Sequence, residues 1–178
     1  MLGAGKDTIK NEIIDKMERV VSIPSITDRP IRPGDIPGKT YIFVNTEQFK
    51  EMIEKDELYE FDIHHNHYYG VPRKYLNEQL QQGKVVIKDV DVNGTESLVK
   101  IFKKEMKVIT IFLRVPKEEL LKRLENRVDK PSKEEIELRL SRFEFEESKM
   151  ENYDYVIENI DKDETVKKIM EIINKNLE

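Results

Sequence analysis

The sequence predicts an α/β fold: a mostly parallel central sheet with crossover helices, and a small antiparallel subdomain inserted into it. Short apolar β-type runs at residues 20–23, 85–90, 108–113 and 153–157 alternate with amphipathic helical stretches. That is the pattern of strands buried on both faces and joined by helices. Residues 58–71 break the alternation, because they switch polar and apolar with period two about a turn, which reads as an antiparallel hairpin. The length, 178 residues, suits one domain or a core with small inserted parts.

Taken in order, Ile9, Ile13, Ile14 and Met17 recur at helical spacing, so a helix runs from 8 to about 19. A short strand at 20–23 ends at Pro24. Residues 25–41 hold Pro30, Pro33, Pro37 and two glycines and show no periodicity, so they are expected to be a stiff loop rather than a core element. A β-type run follows at 41–44. Asn45 with Gln48 forms a capping signal for a helix whose inner face is Phe49, Met52 and Ile53. After the hairpin, Pro72 opens a helix to about 82, a buried strand covers 85–90, and a helix spans roughly 94–103. The run 108–113 is the most strand-like of all. Pro116 then starts a long helix with Leu120, Leu121 and Leu124, and Ser132 with Glu135 makes a capping box for the next. A last strand lies at 153–157, and a closing amphipathic helix at 165–177.

Composition excludes several classes. No apolar run approaches the ~20 residues of a membrane span, and the mean hydropathy is −0.65. No secretory leader pattern stands at Met1. The absence of cysteine removes disulfides and thiolate metal sites and fits the cytoplasm. A net charge of −5 argues against a nucleic-acid partner.

Four groups of residues carry candidate chemistry. Arg29 and Arg32 offer two planar forks on the stiff loop, suited to phosphate. Gly3, Ala4, Gly5, Lys6, Asp7 and Thr8 open a helix and match the end of a G-x-x-x-x-G-K-[ST] phosphate loop, with Asp7 where the hydroxyl belongs and Thr8 one place later. The alternative is an ordinary glycine-containing helix start. Asp89 and Asp91, at a strand end, would hold a Mg²⁺-bound water or a ligand, or else cap the loop. Arg123 and Arg127, then Arg139 and Arg142, suit a helical lid over a polyphosphate, or surface pairing such as Glu119 with Arg123. His64, His65 and His67 read as turn histidines rather than a metal site.

Together these pieces resemble the guanylate kinase family. Ser25, Thr27, Arg29, Arg32, Gly34, Gly38, Tyr41, Phe43 and Val44 fall on the family signature without a gap. Glu60-Phe61, Asn66 to Gly70, Asp89-Val-Asp91-Val-Asn-Gly94, Arg123 to Arg127, Arg139-Leu140 and Tyr155 to Asn159 match its later blocks. The resemblance implies a P-loop kinase three-layer fold and a single domain over 1–178. Its core would be 1–24, 72–115 and 150–178, with a GMP-binding subdomain at 25–71 and a lid at 116–149. It implies transfer of the γ-phosphoryl group of ATP to GMP or dGMP, with Mg²⁺ accompanying ATP.

By the same resemblance, Ser25, Arg29, Arg32, Tyr41 and Tyr69 would hold the GMP phosphate. Glu60 would read guanine, with Gly70, Asp89 and Asp91 beside it. Residues 3–8 would cradle ATP, with Lys6 catalytic and Thr8, and Asp89 through water, near the metal. Arg32, Arg123, Arg127 and Arg139 would act on the transferring group, and Asn159 would lie near adenine. The implied partners are small molecules, and the implied assembly is a monomer or weak homodimer. Three departures stand out: Val71 replaces the hydroxyl residue after Tyr-Gly, Asp28 replaces a threonine, and the chain begins inside the phosphate loop, so the working protein is expected to extend upstream. A related kinase with another nucleotide or a ribose phosphate as acceptor, and a non-catalytic domain that binds a phosphopeptide, are the alternatives.

Overall fold

The computed structural model describes residues 5–32, 35–64, 66–125 and 133–177, and side chains there other than those at 64, 123–125, 133–135 and 137–139. In chain order the elements are α1 (Lys6–Lys16), β1 (Val20–Val21), β2 (Ser25–Thr27), β3 (Tyr41–Phe43), α2 (Thr46–Glu54), β4 (Leu58–His64), β5 (His67–Pro72) and α3 (Arg73–Gln81). These are followed by β6 (Val85–Val86), α4 (Val92–Phe102), β7 (Ile111–Arg114), α5 (Lys117–Glu125), α6 (Lys133–Ser148), β8 (Tyr155–Glu158) and α7 (Lys162–Leu177). Two compact units contain them, Met1–Met17 with Val108–Glu178, and Glu18–Lys107.

In the first unit β7 and β8 pair in parallel from Ile111↔Tyr155 to Arg114↔Glu158. A parallel pair needs a long crossover, which α5 and α6 provide. The strand begins three residues later than its apolar run suggests, and the reason is local. Asp154 Oδ2 accepts from both the Thr110 N–H (2.7 Å) and its hydroxyl (2.8 Å). The Asp154 N–H in turn donates to Thr110 Oγ1 at 3.0 Å. That side-chain clamp takes up the Thr110 N–H, while Thr110 O still accepts the Tyr155 N–H at 3.1 Å, next to the first paired residues. Val115, Leu120 and Phe143 form a core cluster, while Ile9 and Ile13 of α1 and Val166 and Ile169 of α7 are also buried.

The second unit holds a parallel β1–β6 pair and a four-stranded sheet in the order β3-β2-β5-β4. Ser25–Thr27 corrects the expectation that 25–41 contains no regular element. The prolines flank these three residues without entering them, so Ile26 and Thr27 keep their backbone donors and are buried as an interior strand. The sheet is also mixed. The β4–β5 hairpin and the β2–β5 pair are antiparallel, but β2 runs parallel to β3. The β6 ladder is shorter than expected: Ile87 N–H still bonds Val21 O at 2.8 Å, beyond which no strand is assigned. Asn45 and Gln48 form the expected reciprocal capping box on α2, whereas Ser132 lies outside the described residues.

Candidate functional site

Strand alternation gives the four-stranded sheet two unlike faces. One carries Ile26, Ile42, Tyr68, Gly70 and Phe61, against Phe49 of α2. Ile26, Phe49 and Leu58 are buried there, with Ile42 and Tyr68 packed on them. An irregularity between Leu58 and Glu60 lets Leu58 turn to this core while Glu60 faces the other way. Gly70 is tied to this packing: a Cβ would stand 2.9 Å from Leu58 Cδ1 and 3.0 Å from Phe49 Cζ.

The opposite face collects most of the residues expected to hold an acceptor. The registers Ser25↔Tyr41 and Thr27↔Tyr69 place these four side chains together. The tyrosine rings meet edge to face with centroids 6.0 Å apart. Across β5, Asp62 opposes Tyr69 and Glu60 opposes Val71, so a half-buried carboxylate shares this face with the tyrosines. The neighbour of Glu60 is the apolar Val71.

The loop after β2 is organised by a residue the sequence did not single out. Arg29 is only 6% exposed. Its Nη1 and Nη2 bond Asp35 Oδ2 and Oδ1 at 2.8 and 3.1 Å, and Nη1 also bonds Pro30 O at 2.7 Å. The guanidinium carbon sits 4.9 Å from the Tyr41 ring centroid and 5.4 Å from that of Phe43. Asp35 Oδ2 also accepts the Arg32 N–H at 2.6 Å, while the Asp35 N–H donates to Arg32 O at 3.0 Å. Hydrogen bonds from the Arg29 guanidinium and the Arg32 N–H bring the Asp35 carboxyl down to about 2. Arg32 itself is exposed.

Asp28, the departure from threonine, is a junction. It accepts from Thr46 Oγ1 of α2 (2.7 Å) and from Tyr68 N–H of β5 (2.8 Å), with His67 Nδ1 at 3.4 Å. Burial raises its pKa, but the bonds from Thr46 and Tyr68 and the neighbouring His67 outweigh that and lower it. Lys88, also unanticipated, donates to Ser25 Oγ at 2.7 Å. Asp91 Oδ1 accepts the Gly94 N–H at 2.8 Å and caps α4, so one of its oxygens serves the helix. Asp89 is half-buried nearby in sequence.

In the other unit, Gly5 caps α1 with φ +71°, a left-handed conformation that favours glycine. Its Cα faces the buried Asn159, whose Nδ2 would lie 3.5 Å from an added Cβ. Lys6 begins the helix. Asp7 is 75% exposed and pairs with Lys10 at 3.1 Å, and Thr8 is exposed on the first turn. Arg123 and Arg139 lie on α5 and α6 without described side chains, while Gly3, Ala4, Arg127 and His65 fall outside the described residues. Among the described residues no group of three or more His, Cys, Asp or Glu is placed to hold a metal, and no helix is long and apolar enough to cross a membrane.

The guanylate kinase family model matches residues 1–176. The guanylate kinase of Wolbachia pipientis wMel is 38% identical over 174 residues, covering 97% of this chain and 85% of its own length. That of the Wolbachia from Brugia malayi is 36% identical over 174 residues, at 97% and 88% coverage. Among solved structures, guanylate kinase from Anaplasma phagocytophilum superposes with a TM-score of 0.76 at 30% identity, covering 96% of this chain and 81% of its own.

Proposed function

The chain belongs to the guanylate kinase family, and on that premise we propose how it performs ATP:GMP phosphoryl transfer. The observation that supports the assignment is the sheet face where Ser25, Tyr41, Tyr69 and Glu60 converge beside the Arg29 loop. Ser25, Tyr41, Tyr69, Arg29 and Arg32 hold the acceptor phosphate, with Arg32 the exposed fork and Arg29 the anchored one. Glu60 accepts the N–H donors of guanine, and Asp89 and Asp91 lie toward the same ligand. A base without those donors would forfeit its hydrogen bonds to the carboxylate, which is a basis for discrimination.

On the ATP side, Gly5, Lys6 and the N-terminus of α1 receive phosphate oxygens, where backbone N–H groups and the helix dipole favour anions. Asn159, packed on Gly5, lies toward adenine. Arg123, Arg127 and Arg139 neutralise charge on the transferring group. Phosphoryl transfer needs positioning and electrostatic stabilisation more than covalent help from the protein. Mg²⁺ bound to ATP supplies charge neutralisation of the polyphosphate. The Thr8 hydroxyl and the Asp89 carboxylate are of the oxygen type such an ion prefers, and we propose both as its residues, Asp89 through water. We propose a cytoplasmic protein that acts as a monomer or weak homodimer. We retain the division into a core, an acceptor subdomain at 25–71 and a lid at 116–149.

A coupled ADP-release assay with ATP and Mg²⁺ tests this, using GMP, dGMP, AMP, UMP and ribose bisphosphate as acceptors. Turnover with GMP and dGMP above the others is expected. Turnover with another acceptor and none with GMP would overturn it.

A further inference from the structure

Lys88 follows the short β6 ladder and precedes Asp89. Its side chain is half-buried, and its ammonium donates to Ser25 Oγ at 2.7 Å, joining residues far apart in the chain. Ser25 lies on the polar sheet face opposite Tyr41. A hydroxyl has one hydrogen and two lone pairs. With the ammonium on a lone pair, the Ser25 O–H is left to donate, and the adjacent cation makes it a stronger donor.

Charge on this face points the same way. Arg29 is matched by the Asp35 carboxylate through two bonds from its Nη1–Nη2 edge, so the pair is close to neutral as a unit. A phosphate monoester carries about −1.5 to −2 at neutral pH. Arg32 supplies one positive charge on the loop. A second lies at the other edge, where Lys88 touches the hydroxyl.

We propose that Lys88 is a further binding residue for the acceptor phosphate, placing a cation beside Ser25 to complement the arginine loop. The role rests on the phosphotransferase assignment above. An oxygen bonded to Ser25 Oγ would stand ~4 Å from the Lys88 ammonium, given ordinary hydrogen-bond lengths and tetrahedral geometry at the hydroxyl. At that separation the attraction between unlike charges is substantial at a partly desolvated site.

The test titrates wild type, K88M, K88Q and K88R with GMP and with guanosine by calorimetry, alongside steady-state kinetics and thermal melting. K88M should weaken GMP about 10- to 100-fold, the span expected for losing a charged hydrogen-bond partner. Guanosine affinity and the KM for ATP should stay within about twofold, and K88R should restore most of the GMP affinity. K88Q carries the comparison if K88M melts too early to titrate. GMP affinity unchanged in K88M, or equal losses for GMP and guanosine, would overturn the proposal and leave Lys88 as a brace between strand ends. Failure of the phosphotransferase assignment would show separately, as no ADP release by wild type with GMP. The difference between GMP and guanosine binding would still decide the role of Lys88.

Discussion

Asp35 meets the Arg29 guanidinium along two bonds, Nη1 to Oδ2 at 2.8 Å and Nη2 to Oδ1 at 3.1 Å, and closes the loop by accepting the Arg32 N–H. Its carboxyl is lowered to about 2 by those donors, against about 3.9 in an unfolded chain. A depressed carboxylate stabilises the fold above its unfolded pKa, and that contribution is lost as pH falls through the folded value. The melting temperature of the wild type should therefore drop between about pH 4 and pH 2 more steeply than that of D35N. Parallel melting curves for the two proteins would contradict the pairing. D35A should also raise the KM for GMP about tenfold while sparing that for ATP, because Arg29 loses its orientation.

Gly70 has no room for a methyl group, with Leu58 Cδ1 and Phe49 Cζ within 3.0 Å of the place it would occupy. G70A should destabilise the protein by about 1–3 kcal/mol through overpacking. Denaturant unfolding monitored by circular dichroism measures this. An unchanged midpoint would mean that Phe49 and Leu58 yield more easily than their burial implies.

Glu60 and its cross-strand neighbour Val71 should divide base recognition unequally. E60A should lose at least about 100-fold in kcat/KM for GMP and most of the preference over AMP, with the KM for ATP nearly unchanged. V71T restores a hydroxyl beside the carboxylate and should lower the KM for GMP about 3- to 10-fold, the worth of one hydrogen bond. Equal losses for GMP and ATP in E60A would remove Glu60 from base reading.

Asp28 links β2, β5 and α2 through Thr46, Tyr68 and His67. D28A strands the Tyr68 N–H and the Thr46 hydroxyl and should cost about 1–3 kcal/mol. D28N keeps an acceptor and should cost less. The Asp28 pKa is lowered in the fold, so its contribution too is present above the unfolded carboxylate range and fades toward acid. Equal stability of D28A and wild type in urea would show that water replaces the junction.

Much of this architecture was legible because burial and periodicity are local properties. The Asn45–Gln48 box, the β4–β5 hairpin and the closing helix all stand where their patterns lie. Ser25–Thr27 was not legible, since three residues between prolines show no period long enough to read, and their strand character comes from the neighbours on either side. The partnership of Asp35 with Arg29 joins side chains six residues apart in a stretch with no periodicity, so nothing in the pattern marks it. Lys88 was hidden for another reason: it continued an apolar run and looked like part of a longer strand, whereas the ladder ends earlier. The acceptor chemistry was readable as residue types, but not the dealing of those residues onto one side of a sheet.

The parallel pairing of β2 with β3 has a consequence for how this region can change. Side-by-side strands running the same way cannot be joined by a tight turn and need a connection of about a dozen residues or more. Residues 28–40 are that connection, so the segment bearing both arginines is obligatory wiring as well as a grip. Single residues along it can be exchanged while the wiring stays intact. Deleting several would break the pairing of Ser25 with Tyr41, so here the lineage is free to edit letters but not to shorten the word.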